Sequence, residues 1–261
     1  MKNIIFIIIT SITTIYLSNT AIVDTSLITK QSVINGNYIL TIDYQYDNEG
    51  RIIKESLNNY EINKDGDSIQ TTYANVKPAV YKYFTDSILI EVNNTWRKLV
   101  LNKKTLFTKD ISPNSFSKVK KLTTRLRHTY NSNGFVIKTV LFDDYITYSY
   151  STIYDYEYSN KNLVKETQTN RNIGSDNTVT EDSYYIEYEY FKNKLNSIGN
   201  INFGKKYLGK SSKNLIKKEI GSNGYIANYE YEFDKNGNVT KKSIFNNKDG
   251  IKTREFNYEY N

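Results

Sequence analysis

Apolar and polar positions alternate along most of the chain. Tyr184, Ile186, Tyr188 and Tyr190 fall on one side of a zigzag whose other side carries Tyr185, Glu187, Glu189 and Phe191, and a period of two is the signature of a β-strand. The same alternation runs through Tyr148, Tyr150, Thr152, Tyr154, Tyr156 and Tyr158, through Tyr229, Tyr231 and Phe233, and through Phe256, Tyr258 and Tyr260. Each predicted strand has one aromatic face and one largely polar face. Such strands are half buried. No segment of the chain beyond its first residues carries a convincing long helical pattern.

The strands end in recurring turns. In the longer form an aromatic residue precedes a polar loop that closes on Gly and leads into an aliphatic residue and a Lys. Its copies are Tyr46 with Asp47 to Gly50, Tyr130 with Asn131 to Gly134, and Phe233 with Asp234 to Gly237. Asp or Asn opens a type I turn, and Gly50, Gly134 and Gly237 are expected to take the left-handed conformation as structural turn residues. The shorter form drops one residue, as in Tyr158 to Leu163, Tyr190 to Leu195 and Tyr83 to Ile88, with Leu101 to Leu106 a weaker copy. These turns predict an all-β antiparallel meander of about seven hairpins, completed by the strand Phe256 to Tyr260. A curved sheet or a closed barrel would cover the aromatic face and limit exposed edges.

The N-terminus follows a different pattern. Lys2 precedes an uncharged run from Ile4 to Leu17, followed by Ser18, Asn19, Thr20 and Ala21. This is the arrangement of a secretory signal peptide, with cleavage expected after Ala21. The greasy run of about 14 residues falls short of the roughly 20 that cross hydrocarbon. Residues 1–21 read as signal peptide and 22–261 as a single β-hairpin domain, since only 2 Pro occur and no linker interrupts it. The expected location is outside the cytoplasm: periplasm, cell surface or exterior.

Composition removes several chemistries. With no Cys and a single His, the chain has no disulfide framework, no thiolate zinc site, no cysteine nucleophile and no multi-histidine metal site. No cofactor is expected. The pairs Glu187/Glu189, Glu230/Glu232 and Asp155/Glu157 resemble the two acids of a glycosidase. Their spacing places each pair on the polar strand face, where Lys165, Lys194 and Lys241 of the return strands can face them as a cross-strand charge ladder. His128 stands beside Arg127 with no Ser or acid partner in view and reads as a packed or surface residue. The stretch Gly204-Lys-Lys-Tyr-Leu-Gly-Lys-Ser211 matches the P-loop pattern. It lacks the preceding apolar strand and the following helix that phosphate binding needs, so it reads as a basic connection rather than a nucleotide site.

The tyrosine stripe admits two readings, a core-facing side or a surface on which sugars stack, and strict alternation favours the core. Trp96, near a turn, is a candidate exposed platform. Charge is unevenly distributed in a chain of net charge +7. Arg97 to Arg127 carries ten cations against Asp110, and Lys205 to Lys218 carries six lysines and no acid. A patch formed from Lys118, Lys120, Lys121, Arg125, Arg127, Lys205, Lys206 and Lys210 is a candidate site for an anionic ligand. An exported protein would meet acidic polysaccharide or lipopolysaccharide there. No nucleic acid or nucleotide partner is expected, and the chain is read as a monomer.

Three phrases carry a resemblance: Tyr46-Asp-Asn-Glu-Gly-Arg-Ile-Ile-Lys54, Leu208-Gly-Lys-Ser-Ser-Lys-Asn-Leu215 and Tyr229-Glu-Tyr-Glu-Phe-Asp-Lys-Asn-Gly-Asn-Val-Thr-Lys241. Over roughly residues 35–261 the chain resembles a family of secreted Bacteroidetes proteins of unknown function. That resemblance implies a porin-like fold, and the hairpins are similar to the YD repeats of Rhs-type shell proteins. Many relatives carry a lipoprotein Cys after the signal, which this chain lacks, so a lipid anchor is not implied, and the family supplies no catalytic residues. The reading of the whole is an exported, non-catalytic binding or structural module of the envelope or exterior. The alternative is an outer-membrane β-barrel, with a carbohydrate-active enzyme behind it.

Overall fold

The computed structural model describes residues 26–63, 67–70, 77–93, 95–113, 122–144 and 149–261. The expected signal peptide at 1–21 lies outside the described residues, as do Lys118, Lys120 and Lys121. Every long element is a strand. The first nine are β1 Ile28–Asn35, β2 Tyr38–Tyr46, β3 Ile52–Ile62, β4 Ser68–Gln70, β5 Ala79–Tyr83, β6 Ser87–Val92, β7 Thr95–Leu101, β8 Phe107–Pro113 and β9 Leu122–Tyr130. Eight more follow: β10 Val136–Asp144, β11 Ser149–Ser159, β12 Asn162–Ile173, β13 Val179–Leu195, β14 Asn214–Gly221, β15 Ile226–Phe233, β16 Val239–Asn246 and β17 Lys252–Tyr260.

Each strand pairs antiparallel with its neighbour in sequence, and β17 returns to pair with β1, with Tyr258 opposite Gln31. The result is a closed barrel of 16 strands, in which β4 is an extra short piece beside the far end of β3. Closure pairs the two ends of the meander, β1 with β17, rather than leaving them as free edges.

Register fixes which face is inside, because residues directly opposite each other share a face. Tyr44 lies opposite Glu55, Tyr81 opposite Ile90, Leu99 opposite Asp110, Tyr188 opposite Glu219, and Lys242 opposite both Tyr231 and Phe256. These positions point into the barrel, and Tyr44, Tyr81, Ile90, Leu99 and Tyr258 join the buried core. The tyrosine stripes therefore face inward. The alternate positions, including Lys138, Asp155, Glu157, Lys165, Glu187, Glu232 and Lys241, face outward.

Apart from the expected hairpin at Tyr190 to Leu195, the tight turns that the sequence predicted lie at one end, here the base. Asp47 Oδ1 accepts the Glu49 and Arg51 amides at 2.9 Å while Gly50 takes φ +69°. Asn131 with Gly134 and Asp234 with Gly237 repeat the device, both glycines at φ +84°. Asn160 and Lys161 form a two-residue tip with φ of 50° and 66°, the primed turn that matches strand twist. Leu101 to Leu106 belongs to the longer form, not the shorter one: Asn102 Oδ1 accepts the Lys104 and Leu106 amides, and Thr105 holds the glycine position at φ +59°.

The aromatic residue before the turn has its own task. Tyr46 donates its hydroxyl to the Ile28 carbonyl at 2.5 Å, Tyr83 to Ile52 at 2.9 Å and Tyr260 to Val239 at 2.9 Å. Each bond reaches from the end of one strand to the start of its neighbour. This explains Tyr in place of Phe at these points, since the ring is buried and the hydroxyl still finds an acceptor.

The expected hairpin at Tyr190 to Leu195 is absent. Strand β13 runs through to Leu195, with its pairing to β14 slipping between Tyr190 and Leu195. The Lys-Asn tip looks like that of Asn160-Lys161, but Phe191 packs on Tyr231 at 6.1 Å and holds the strand to the wall. The chain then crosses the base as residues 196–213 before β14 begins.

Candidate functional site

Residues 196–213 close the base. Phe203 meets Tyr44 at 5.4 Å and Tyr258 at 6.4 Å between ring centroids, and buried Tyr207 and half-buried Ile198 and Leu208 pack in the same cluster. The segment docks by its main chain. Asn202 and Gly204 carbonyls accept the Ile28 and Ile52 amides at 2.8 and 3.3 Å, and the Lys210 amide donates to Gly134 at 2.9 Å. Close approach explains both glycines of the P-loop look-alike. A Cβ on Gly204 would stand 2.8 Å from the Gly50 carbonyl, and one on Gly209 would stand 2.7 Å from that of Gly134, both glycines having positive φ. Between them lies only a short 3-10 turn, Lys206–Leu208, with no parallel strand before it and no α-helix after it. The phosphate-cradling geometry is therefore missing. Lys205 turns inward and pairs with Glu55, which also accepts the Tyr81 hydroxyl at 2.7 Å.

On the outer side of this closing segment is a cavity of about 450 Å³. Its lining includes Lys161, Lys206, Lys210 and Lys213 and no acidic residue. All four lysines are exposed, and none forms an ion pair with a described carboxylate. Leu106, Phe135 and Ile201 supply apolar wall.

The other end holds a larger cavity, about 1200 Å³, walled by inward Val33, Leu40, Asn59, Glu61 and Arg254 with Tyr38 at the rim. Deeper in the lumen, tyrosines alternate with charged groups around the wall. Burial raises the Tyr188 phenol above its usual range, with Glu166 and Glu219 adding to the shift, and raises that of Tyr229, helped by Glu219. Burial also raises the Glu166 carboxyl, helped by Glu219. It lowers the Lys242 ammonium to about 8.

Outside, one of the three lysines expected in a cross-strand ladder, Lys241, pairs with an acid, and other cross-strand pairs form beside it. Lys138 bonds Asp155 at 2.8 Å, Arg171 meets Glu181 at 3.3 Å and Lys241 meets Glu232 at 3.2 Å. Lys165 stands between Glu157 and Glu187 in register. Lys194 does not join the ladder, lying instead over the Phe191 and Phe233 rings. Arg127 is on the outer wall with its guanidinium 5.1 Å from the Phe142 ring, and Arg125 sits two residues earlier on β9. Of the predicted anionic-ligand residues, the fold brings Lys206 and Lys210 together at the base. It separates them from Arg127 and turns Lys205 inward. Lys161 and Lys213 join the cluster through folding, which sequence distance concealed.

His128 faces the lumen between Phe107 and Tyr130, its Nδ1 2.8 Å from Thr139 Oγ1. Burial lowers its pKa to about 4, so the ring is neutral at physiological pH. Trp96 is half-buried on the outer face opposite Glu91 rather than a free platform. Among the described residues no group of three or more His, Cys, Asp or Glu could hold a metal.

Neither a family model nor a curated protein matches the chain. Its fold is similar to that of a porin-like protein from Bacteroides uniformis ATCC 8492, at 15% identity, 90% coverage of this chain, 98% of that chain and a TM-score of 0.50. A porin-like protein from Bacteroides vulgatus ATCC 8482 matches at 14% identity, 90% and 99% coverage and a TM-score of 0.47. The first likeness is one of fold, and the class it defines is the all-β, porin-like barrel.

Proposed function

We propose that the chain is an exported barrel facing water on its outside, which acts in the envelope or exterior as a non-catalytic binding module. The observation that supports this most is the charge carried by the outer face. A lipid-embedded barrel needs an outward apolar band about 25 Å tall with polar residues inside. Here tyrosines share the inner face with charged groups such as Glu55, Glu219 and Lys242, while the outer face, where lipid would lie, carries Lys138, Asp155, Lys165, Glu187 and Lys241. Outward apolar residues do occur, but Leu89 lies opposite Lys82 and Lys98, Val100 opposite Lys109, and Val140 opposite Arg127. Each would drag a charge into hydrocarbon.

The alternative is an outer-membrane barrel, favoured by closure of the ring itself. Fractionation separates the two. The protein should leave cells or the periplasm in detergent-free buffer as a monodisperse particle; recovery only from membranes after detergent would overturn the proposal. The partner class we assign is an acidic glycan, supported by the lysine-rich, acid-free cavity at the base.

A further inference from the structure

We propose that the cavity at the closed base is a binding site for a sulfate- or phosphate-ester saccharide, held by Lys161, Lys206, Lys210 and Lys213. The inference rests on the reading of the chain as a water-facing binding module and assigns that module a place and a chemistry.

Four lysines from three separate stretches of chain line one concavity. Lys161 comes from the β11–β12 tip, Lys206 from the 3-10 turn, and Lys210 and Lys213 from the end of the closing segment. Like charges repel, so gathering them costs stability unless an anion offsets it. Elsewhere on the barrel surface lysines lie beside acids, as at Lys138, Lys241 and Lys252. Among the residues that line this cavity there is no acid.

The scaffold is rigid. The Lys210 amide is tied to Gly134 at 2.9 Å and the Lys213 amide to the Lys161 carbonyl at 3.0 Å. Ser211 Oγ accepts the Asn200 amide at 2.8 Å and Ser212 Oγ the Leu163 amide at 3.0 Å. The lysine stems therefore start from fixed points, and only their charged ends move. The motif Gly209-Lys-Ser-Ser-Lys213 is explained in full: Gly permits the close approach, the serines hold the backbone, and the lysines are left to solvent.

Lysines act as point charges, which suits a tetrahedral oxyanion approached from several sides. Volume favours more than a bare ion. The cavity of about 450 Å³ lies in the range that holds small organic ligands, roughly 300 to 1,000 Å³. Leu106, Phe135 and Ile201 offer apolar wall for the C–H face of a sugar ring.

The test is titration calorimetry at low and high salt with a sulfated heparin tetrasaccharide, a neutral maltotetraose and inorganic sulfate. The wild type should bind the sulfated tetrasaccharide with affinity that falls as salt rises, and should not bind the neutral one. The double variant Lys210→Gln/Lys213→Gln should bind about tenfold or more weakly. The outer-wall control Lys165→Gln/Lys218→Gln should bind like the wild type, with both variants retaining the wild-type circular dichroism. Equal losses in the two variants, or no binding, would overturn the site. Inorganic sulfate that matches the tetrasaccharide mole for mole would overturn the saccharide part. Failure to purify without detergent would defeat the water-facing reading, whereas a detergent-free protein that ignores the sulfated probe defeats this site alone.

Discussion

The amide of Lys210 donates to the carbonyl of Gly134 at 2.9 Å, joining the segment that closes the barrel to the turn that reverses its wall. Contact this close needs Gly209, which has φ +84° and stands where a side chain would strike both the Gly134 carbonyl and the Tyr130 ring. Gly237 has the same φ but open space around it. Gly237→Ala should therefore cost about 1 to 2 kcal/mol, the left-handed penalty alone. Gly209→Ala should cost clearly more, because backbone must also shift. Urea midpoints of the two variants check this, and equal midpoints would show that the closing segment is not docked there.

Thr105 offers the opposite case. It is a β-branched residue at φ +59° in a turn whose sister positions are Gly50, Gly134 and Gly237. Thr105→Gly should stabilise by about 1 kcal/mol, since left-handed strain exceeds the loss of its hydroxyl bond to the Lys104 carbonyl. A rise in thermal midpoint is the expected reading.

Tyr46 bonds the Ile28 carbonyl across the seam where the chain's first strand meets its second. Tyr46→Phe keeps the ring and removes the bond, leaving a carbonyl short of a partner. A loss of about 1 kcal/mol is expected in chemical denaturation. The same substitution at exposed Tyr38, at 63% relative exposure, should be silent.

His128 gives the pH prediction. Its folded pKa of about 4 lies below the usual value of 6.5, so the unfolded chain binds more protons between these values. Stability from this group is complete above pH 6.5 and is lost as pH falls towards 4, by at most about 3 kcal/mol. His128→Phe should lack this component. Comparing wild type and variant at pH 7 and pH 4 isolates it from the carboxylates, and an unchanged gap would mean that the imidazole is solvated.

The strands and most base turns were legible because each is local: period two gives the faces, and an Asx residue followed by Gly gives the reversal. The ring order was legible for the same reason, since the strands of the ring, with the short β4 set aside, pair in the order they follow along the chain. What stayed hidden was non-local. Residues 196–213 carry Ile198, Phe203, Tyr207 and Leu208 at no regular spacing, so nothing marks them as the cover of a barrel base. The tip-like Lys192-Asn193 misled because a strand that continues and one that turns differ only in what Phe191 packs against. For the same reason Lys161 and Lys213, distant in sequence, gave no sign of sharing one cavity, while Lys205 looked like its neighbours and in fact turns inward to Glu55.

The most direct test of the water-facing barrel uses the absence of native Cys. Single cysteines at outward Lys138, Glu187 and Glu230, labelled with a nitroxide, report collisions with oxygen or with a water-soluble nickel complex, measured in intact envelopes and in detergent-free buffer. Access to the nickel complex at all three sites is the expected result. An oxygen-favouring band across them would place the outer wall in hydrocarbon and contradict it.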